Sequence, residues 1–141
     1  MHRAYPPPHV ARRRFPIPTL NEWTDEGFID DDDNATVCYS SRTAAGTQTL
    51  TYDLGSPKSF SMGGRALLYN SNAVLTVGLR ISLSDDGITY STVWDNSHKL
   101  AATVAYNIVF MGLTRFIKFE AYYYDSTGAR SVTIPDLNLV Y

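Results

Sequence analysis

The sequence lacks most of the devices that staple a small protein together. Its 141 residues include a single cysteine, Cys38, which excludes an internal disulfide framework and a multi-cysteine zinc site. No apolar run approaches the roughly 18 residues that span a bilayer. The residues after Met1 (H-R-A-Y-P-P-P-H) lack the apolar centre of a secretory signal. Charged side chains make up only 18% of the chain and the net charge is −2, so no global field draws nucleic acid or an anionic membrane. No stretch combines helical apolar spacing with capping residues. Proline is scarce except in one place, where five of the seven fall within the first 18 residues.

What is abundant points to strands. Ten Tyr, six Phe and two Trp give 13% aromatic residues, which with frequent Thr, Ser and Val suit a pleated, half-buried surface. Leu50, Tyr52 and Leu54 alternate with Thr51 and Asp53 before Gly55-Ser56-Pro57 turns the chain. Leu75, Val77, Leu79, Ile81 and Leu83 then hold a period of two against polar partners, the strongest strand signal in the chain. Asp85-Asp86-Gly87 is a hairpin signature, predicting a return strand over 88–94. Ile108 and Phe110, then Ile117, Phe119, Ala121 and Tyr123, mark two more strands. The last apolar set changes parity between Ile134 and Leu137, which predicts a bulge near Pro135-Asp136. The expected fold is all-β, a jelly-roll sandwich of about eight antiparallel strands in two sheets.

The two ends of the chain differ in character. Residues 1–21 hold Arg3, Arg12, Arg13 and Arg14 and no acid, while residues 22–33 hold seven acids. Proline fixes φ and biases its predecessor toward extended geometry. Residues 1–21 are therefore expected to form an extended Pro/Arg-rich arm, and residues 22–141 the sandwich. Tyr5, Phe15, Ile17 and Leu20 are the arm's apolar anchors, with Arg12, Arg13 and Arg14 available to acids on a neighbour.

Several segments in order resemble a known family. Asp53-Leu54-Gly55, then Ser84-Asp85-Asp86-Gly87 with Tyr90, then Arg115-Phe116-Ile117-Lys118 are similar to the motifs of the galactose-binding-like, discoidin (coagulation-factor type C) sandwiches. The acidic stretch 28–39 is similar to that family's loop before its first core strand. The resemblance covers roughly residues 25–141 and implies a non-catalytic module that binds sugars, lipid heads or proteins through loops at one end. It also implies a structural Ca²⁺ at Asp30, Asp33, Asn34, Thr36 and Asp136, an oxygen-rich set suited to that ion. The family's Trp after the acidic loop and its terminal cysteine pair are absent here.

No catalytic constellation is present. Asp85 and Asp86 are turn residues, no G-x-S-x-G elbow accompanies His98, and Cys38 reads as a small buried hydrophobe. The chain is expected not to be an enzyme and to need no cofactor beyond that Ca²⁺. Joining a binding-type sandwich to an anchored arm gives the first functional expectation: a virion structural protein, made in the host cytoplasm, serving as capsid decoration (cement) or as a phage tail component. Its arm would order on neighbouring subunits, as a homo-oligomer or on a larger particle. The alternative is a carbohydrate-binding or adhesion module using a loop-end site around Arg42, Tyr69, Asn70, Trp94 and His98.

Overall fold

The computed structural model describes residues 15–30, 37–124 and 128–141. Eight strands account for nearly all regular structure: β1 (Leu20–Asn21), β2 (Cys38–Arg42), β3 (Gly46–Asn70), β4 (Thr76–Ser84), β5 (Ser91–His98), β6 (Thr103–Tyr124), β7 (Arg130–Ile134) and β8 (Leu137–Val140). A single 3-10 turn at Glu26–Phe28 interrupts the approach to β2. All pairings are antiparallel.

Two strands are long enough to serve both layers. The first half of β3 pairs with the second half of β6, from Gly46↔Tyr123 to Asp53↔Phe116. The register then slips, and Lys58↔Thr114 to Tyr69↔Thr103 completes the ladder. The slip falls at Gly55-Ser56-Pro57, where Gly55 takes φ +88°, a left-handed conformation that favours glycine. The first layer is β1-β3-β6-β4-β5, using Asp53 and earlier on β3. The second is β2-β7-β3-β6 with β8 also on β3, using Lys58 and later. One hydrogen-bonded network thus folds into a sandwich, as the alternation predicts.

The core lies between the layers. Leu50 and Tyr52 from β3, Val77, Leu79 and Ile81 from β4, Ile117, Phe119 and Tyr123 from β6 and Val132 and Ile134 from β7 are buried there. Cys38 is buried among them. The parity change at Pro135-Asp136 is real: β7 ends at Ile134, β8 starts at Leu137, and Val132 and Ile134 on one strand and Leu137 and Leu139 on the other are all buried. The return strand after the hairpin starts later than the sequence suggests. Asp86 Oδ1 accepts the N–H groups of Ile88 (2.8 Å) and Thr89 (2.9 Å), which keeps those residues in the turn until Ser91.

The leading segment is the main correction. Phe15, expected to anchor a neighbouring subunit, is buried in its own molecule, 4.7 Å ring to ring from Tyr52 and 6.0 Å from Phe119. Its N–H donates to Asp30 Oδ2 at 2.8 Å. Leu20 adds a strand to β3, paired with Thr51, and Trp23 is buried with its indole donating to Gln48 O. Burying an aromatic ring of this size stabilises by about 2–3 kcal/mol, which outweighs the proline bias once the main chain has partners. Ile17 does stay exposed. Tyr5, Arg12, Arg13 and Arg14 lie outside the described residues.

Candidate functional site

Folding the sheet at Gly55–Pro57 brings both ends of the β3/β6 ladder to one end of the sandwich. There Arg42, Arg130 and Asn70 form a single cross-strand row, through the pairs Arg42↔Arg130 and Asn70↔Arg130. The neighbouring row, Ser41, Ser131 and Tyr69, faces out from the same layer. Between Ser41–Ala44 and Ala129–Arg130, with Gln48 as part of the wall, opens a cleft of about 510 Å³.

The two arginines have different duties. Arg130 is fully buried, and its Nη1 donates to Thr76 O at 2.9 Å and to Tyr124 O, while Nε reaches Gly128 O at 3.4 Å. Its guanidinium also lies 5.6 Å from the Tyr123 ring centroid. It pins three loops and is a structural cation. Arg42 is half-buried, with Nη2 donating to Ala45 O at 3.0 Å and Nε to Ala44 O at 3.3 Å. Its fork lies against Gly46, where an added Cβ would sit 2.8 Å from Nη2. These contacts fix the guanidinium without neutralising it, and among the described residues Arg42 has no carboxylate partner. A guanidinium so placed presents its remaining donors to the cleft, in the planar geometry that matches a carboxylate.

Below the cleft the support is rigid. Ser40 Oγ meets Tyr123 Oη at 2.6 Å and also bonds Gln48 Oε1, which ties the two layers together. Burial pushes the Tyr123 phenol up to about 12, against a smaller opposing pull from its bond with Ser40 and the nearby arginines.

The other expected contacts divide. Asn70 is fully buried; its amide donates to Leu75 O at 2.6 Å and its oxygen accepts Asn72 N–H at 3.2 Å, so it builds the 70–75 turn. Tyr69 is exposed on the outer row. His98 is at the same end, its Nε2 3.3 Å from Ala102 O, the carbonyl that also takes the Asn70 N–H. The imidazole stacks on Tyr106. Trp94 is not at this end. It lies mid-way along β5 opposite Ile81, and its indole donates to Asn107 O of β6 at 3.1 Å. A tryptophan in a polar D-N-S-H stretch looks like a ligand platform in sequence, but its long side chain is used to bridge the layers.

Sequence reasoning missed Arg130 and Gln48. Arg130 shares the parity of Val132 and Ile134, which are both buried; that shared face was the available signal.

Of the residues implied for Ca²⁺, only Asp30 and Asp136 are described. The bond from Leu137 N to Ile29 O at 2.7 Å brings their backbones together. Asp30 is buried with one oxygen on Phe15 N–H, so it has a structural duty in this chain whatever else it binds. Asp33, Asn34 and Thr36 lie outside the described residues, and no cluster of three potential metal ligands occurs among those described.

No family model matches the sequence, and no curated protein matches it either. Solved structures do match the fold. The module CpGH89CBM32-6 of Clostridium perfringens superposes with a TM-score of 0.52 and 18% identity over 87% of this chain and 89% of that one. A pectin-binding carbohydrate-binding module gives 0.51 and 14% over 93% and 92%. A chitosan-binding module of Paenibacillus sp. IK-5, in complex with chitotriose, gives 0.50 and 21% over 88% and 93%. At such identity the likeness is one of fold. What the chain shares with these carbohydrate-binding modules is the antiparallel β-sandwich fold.

Proposed function

We propose that the protein is a non-catalytic carbohydrate-binding module that takes an acidic sugar in the cleft beside Arg42. The observation that carries this reading is the guanidinium itself, oriented by its own loop's carbonyls and lacking a carboxylate partner among the described residues. Ser41, Thr43 and Gln48 surround it with groups suited to sugar hydroxyls. The solved modules of the same fold support the class: one is named for pectin and another holds chitotriose. Among the described residues the cleft wall has no aromatic ring, which favours charge pairing and hydroxyl contacts over ring stacking. The virion role rested on a free arm, and the burial of Phe15 and pairing of Leu20 remove two of its anchors.

Titration calorimetry with oligogalacturonate, and with neutral chitooligosaccharide as comparison, tests the proposal. Binding of the uronate that weakens with added salt and drops about ten- to a hundredfold in Arg42→Ala is the expected result. Equal binding of both sugars by wild type and Arg42→Ala, or no binding of either, overturns it.

A further inference from the structure

Acids on the strands are confined to the first layer. They are Asp53, Asp95 and Glu120, and each has a cation beside it: Arg115 at 2.8 Å, Arg80 at 3.4 Å and Lys118 at 3.7 Å. The strand segments of the second layer, Cys38–Arg42, 58–70, 103–114, Arg130–Ile134 and Leu137–Val140, contain no Asp or Glu at all. They do contain Arg42 in the cleft wall and Arg65, which is exposed and has no carboxylate partner among the described residues.

The pairing puts these cations on one path. Cys38, Ser40, Ala66, Leu68 and Val132 are buried, so the alternate residues of the same strands make up the outer face. There Ser131 pairs with both Ser41 and Tyr69, and Tyr69 pairs with Thr103, giving a hydroxyl-bearing row across β2, β7, β3 and β6. Ser41 also lines the cleft beside Arg42, which makes cleft and face continuous. Tyr69 is 39% exposed. Arg65 lies on the same strand and the same face, opposite Asn107. Tyr69 is roughly 10 Å from Ser41 across two strand spacings, and Arg65 about 13 Å further along β3. Past Asn107 the face turns apolar at the exposed Val109, Met111 and Leu113, and the polar path stops.

We propose that the ligand is an extended polyuronate that runs from the Arg42 cleft over this face, with one ring on Tyr69 and a further carboxylate on Arg65. The proposal rests on the sugar reading of the cleft and adds the length and path of the ligand. A chain of acidic units meets two cations here and no strand carboxylate to repel it, which is the complementarity a polyanion needs. Charge alone does not single out a sugar. The Tyr69 ring offers a flat apolar surface for a sugar ring, and the row of hydroxyls beside it can both donate to and accept from sugar hydroxyls. A uronate polymer repeats its carboxylate on every ring, so one unit can sit at Arg42 while another reaches Arg65.

Titration calorimetry on the full chain with digalacturonate, too short to leave the cleft, and with hexagalacturonate tests the proposal. Wild type is expected to bind the hexamer about tenfold more tightly. Arg65→Ala and Tyr69→Ala are each expected to remove most of that preference, with dimer affinity and circular dichroism unchanged because both side chains are exposed. Ile88→Ala, at an exposed turn residue away from the face, keeps the preference. Equal affinity for dimer and hexamer, or a preference that survives both Arg65→Ala and Tyr69→Ala, overturns the path and leaves the cleft standing. A hexamer of aspartate bound as tightly as the hexagalacturonate shows that charge alone is read, and overturns it too. Hexagalacturonate binding that needs Arg65 but not Arg42 overturns the cleft reading alone.

Discussion

The two ends of the sandwich handle charge in opposite ways. At the corner end, where β3 and β6 cross between layers, the Asp53 carboxylate accepts two bonds from Arg115, at 2.8 and 3.0 Å, and the Gly55 N–H at 2.8 Å. Ser84 and Asp86 close the adjacent turn on themselves. At the loop end Arg42 is gripped by neutral carbonyls and left with its charge. Paired charges hold a corner in shape; Arg42, half-buried and with no carboxylate partner among the described residues, keeps donors available to a ligand. The contrast supports the proposed site at the loop end.

The largest expected effect tests the support beneath that end. Arg130→Leu strands the carbonyls of Thr76 and Tyr124 in a buried site and should lower unfolding free energy by about 3 kcal/mol or more in urea titrations. Preserved stability would mean that the loop end does not depend on its buried cation.

The next experiment separates the ends by pH. The Tyr123 phenol is raised by burial, so the folded state keeps its proton when the unfolded chain has lost it. Stability is therefore full below the ordinary tyrosine value near 10 and falls as pH rises toward about 12. The slope should approach about 1.4 kcal/mol per pH unit. Tyr123→Phe should flatten it in denaturant titrations at pH 8 and 11. Tyr122, raised by burial and then by its bond to Asp95, adds a contribution of the same sign.

Smaller, and specific to function, is Arg42→Ala. Uronate affinity should drop about ten- to a hundredfold, the worth of a charged hydrogen bond, with thermal midpoint nearly unchanged. At the corner end Thr114→Val removes a buried hydroxyl that donates to Ser84 O at 2.8 Å. A loss of about 1 kcal/mol with sugar binding intact is expected from calorimetry. The smallest effect belongs to Asp53→Asn. The Arg115 bond, then the Gly55 N–H, hold the Asp53 carboxyl below its usual range. A lowered value stabilises above the unfolded value near 3.8 and is lost as pH falls through the folded one. Both partners are partly exposed, so about 0.5 kcal/mol is expected at neutral pH. Stability curves of mutant and wild type should converge in acid.

Much of the fold was legible because its signals are local. Leu75 to Leu83 specify β4 by parity, Asp86-Gly87 specifies the turn, and Pro135-Asp136 specifies the break between β7 and β8. The site was legible in part. Arg42, Tyr69, Asn70 and His98 do reach one end, but Asn70 builds a turn and Trp94 bridges layers elsewhere. Phe15 misled because proline-rich surroundings describe main-chain preference, whereas its fate was set by a space between Tyr52 and Phe119, residues 37 and more positions away in sequence. Val109, Met111 and Leu113 were illegible for the reverse reason: both parities of that strand are apolar, so alternation cannot tell inside from outside.

By itself the sequence determined most of the strands, their turns and, where the alternation is clean, the face turned inward, because period and turn chemistry act over a few residues. Only the tertiary structure decided that two long strands cross from layer to layer, that one arginine is buried while its row neighbour lines a cleft, and that Val109, Met111 and Leu113 stand exposed. Those outcomes depend on which main-chain and charged groups find partners, and the partners come from distant parts of the chain.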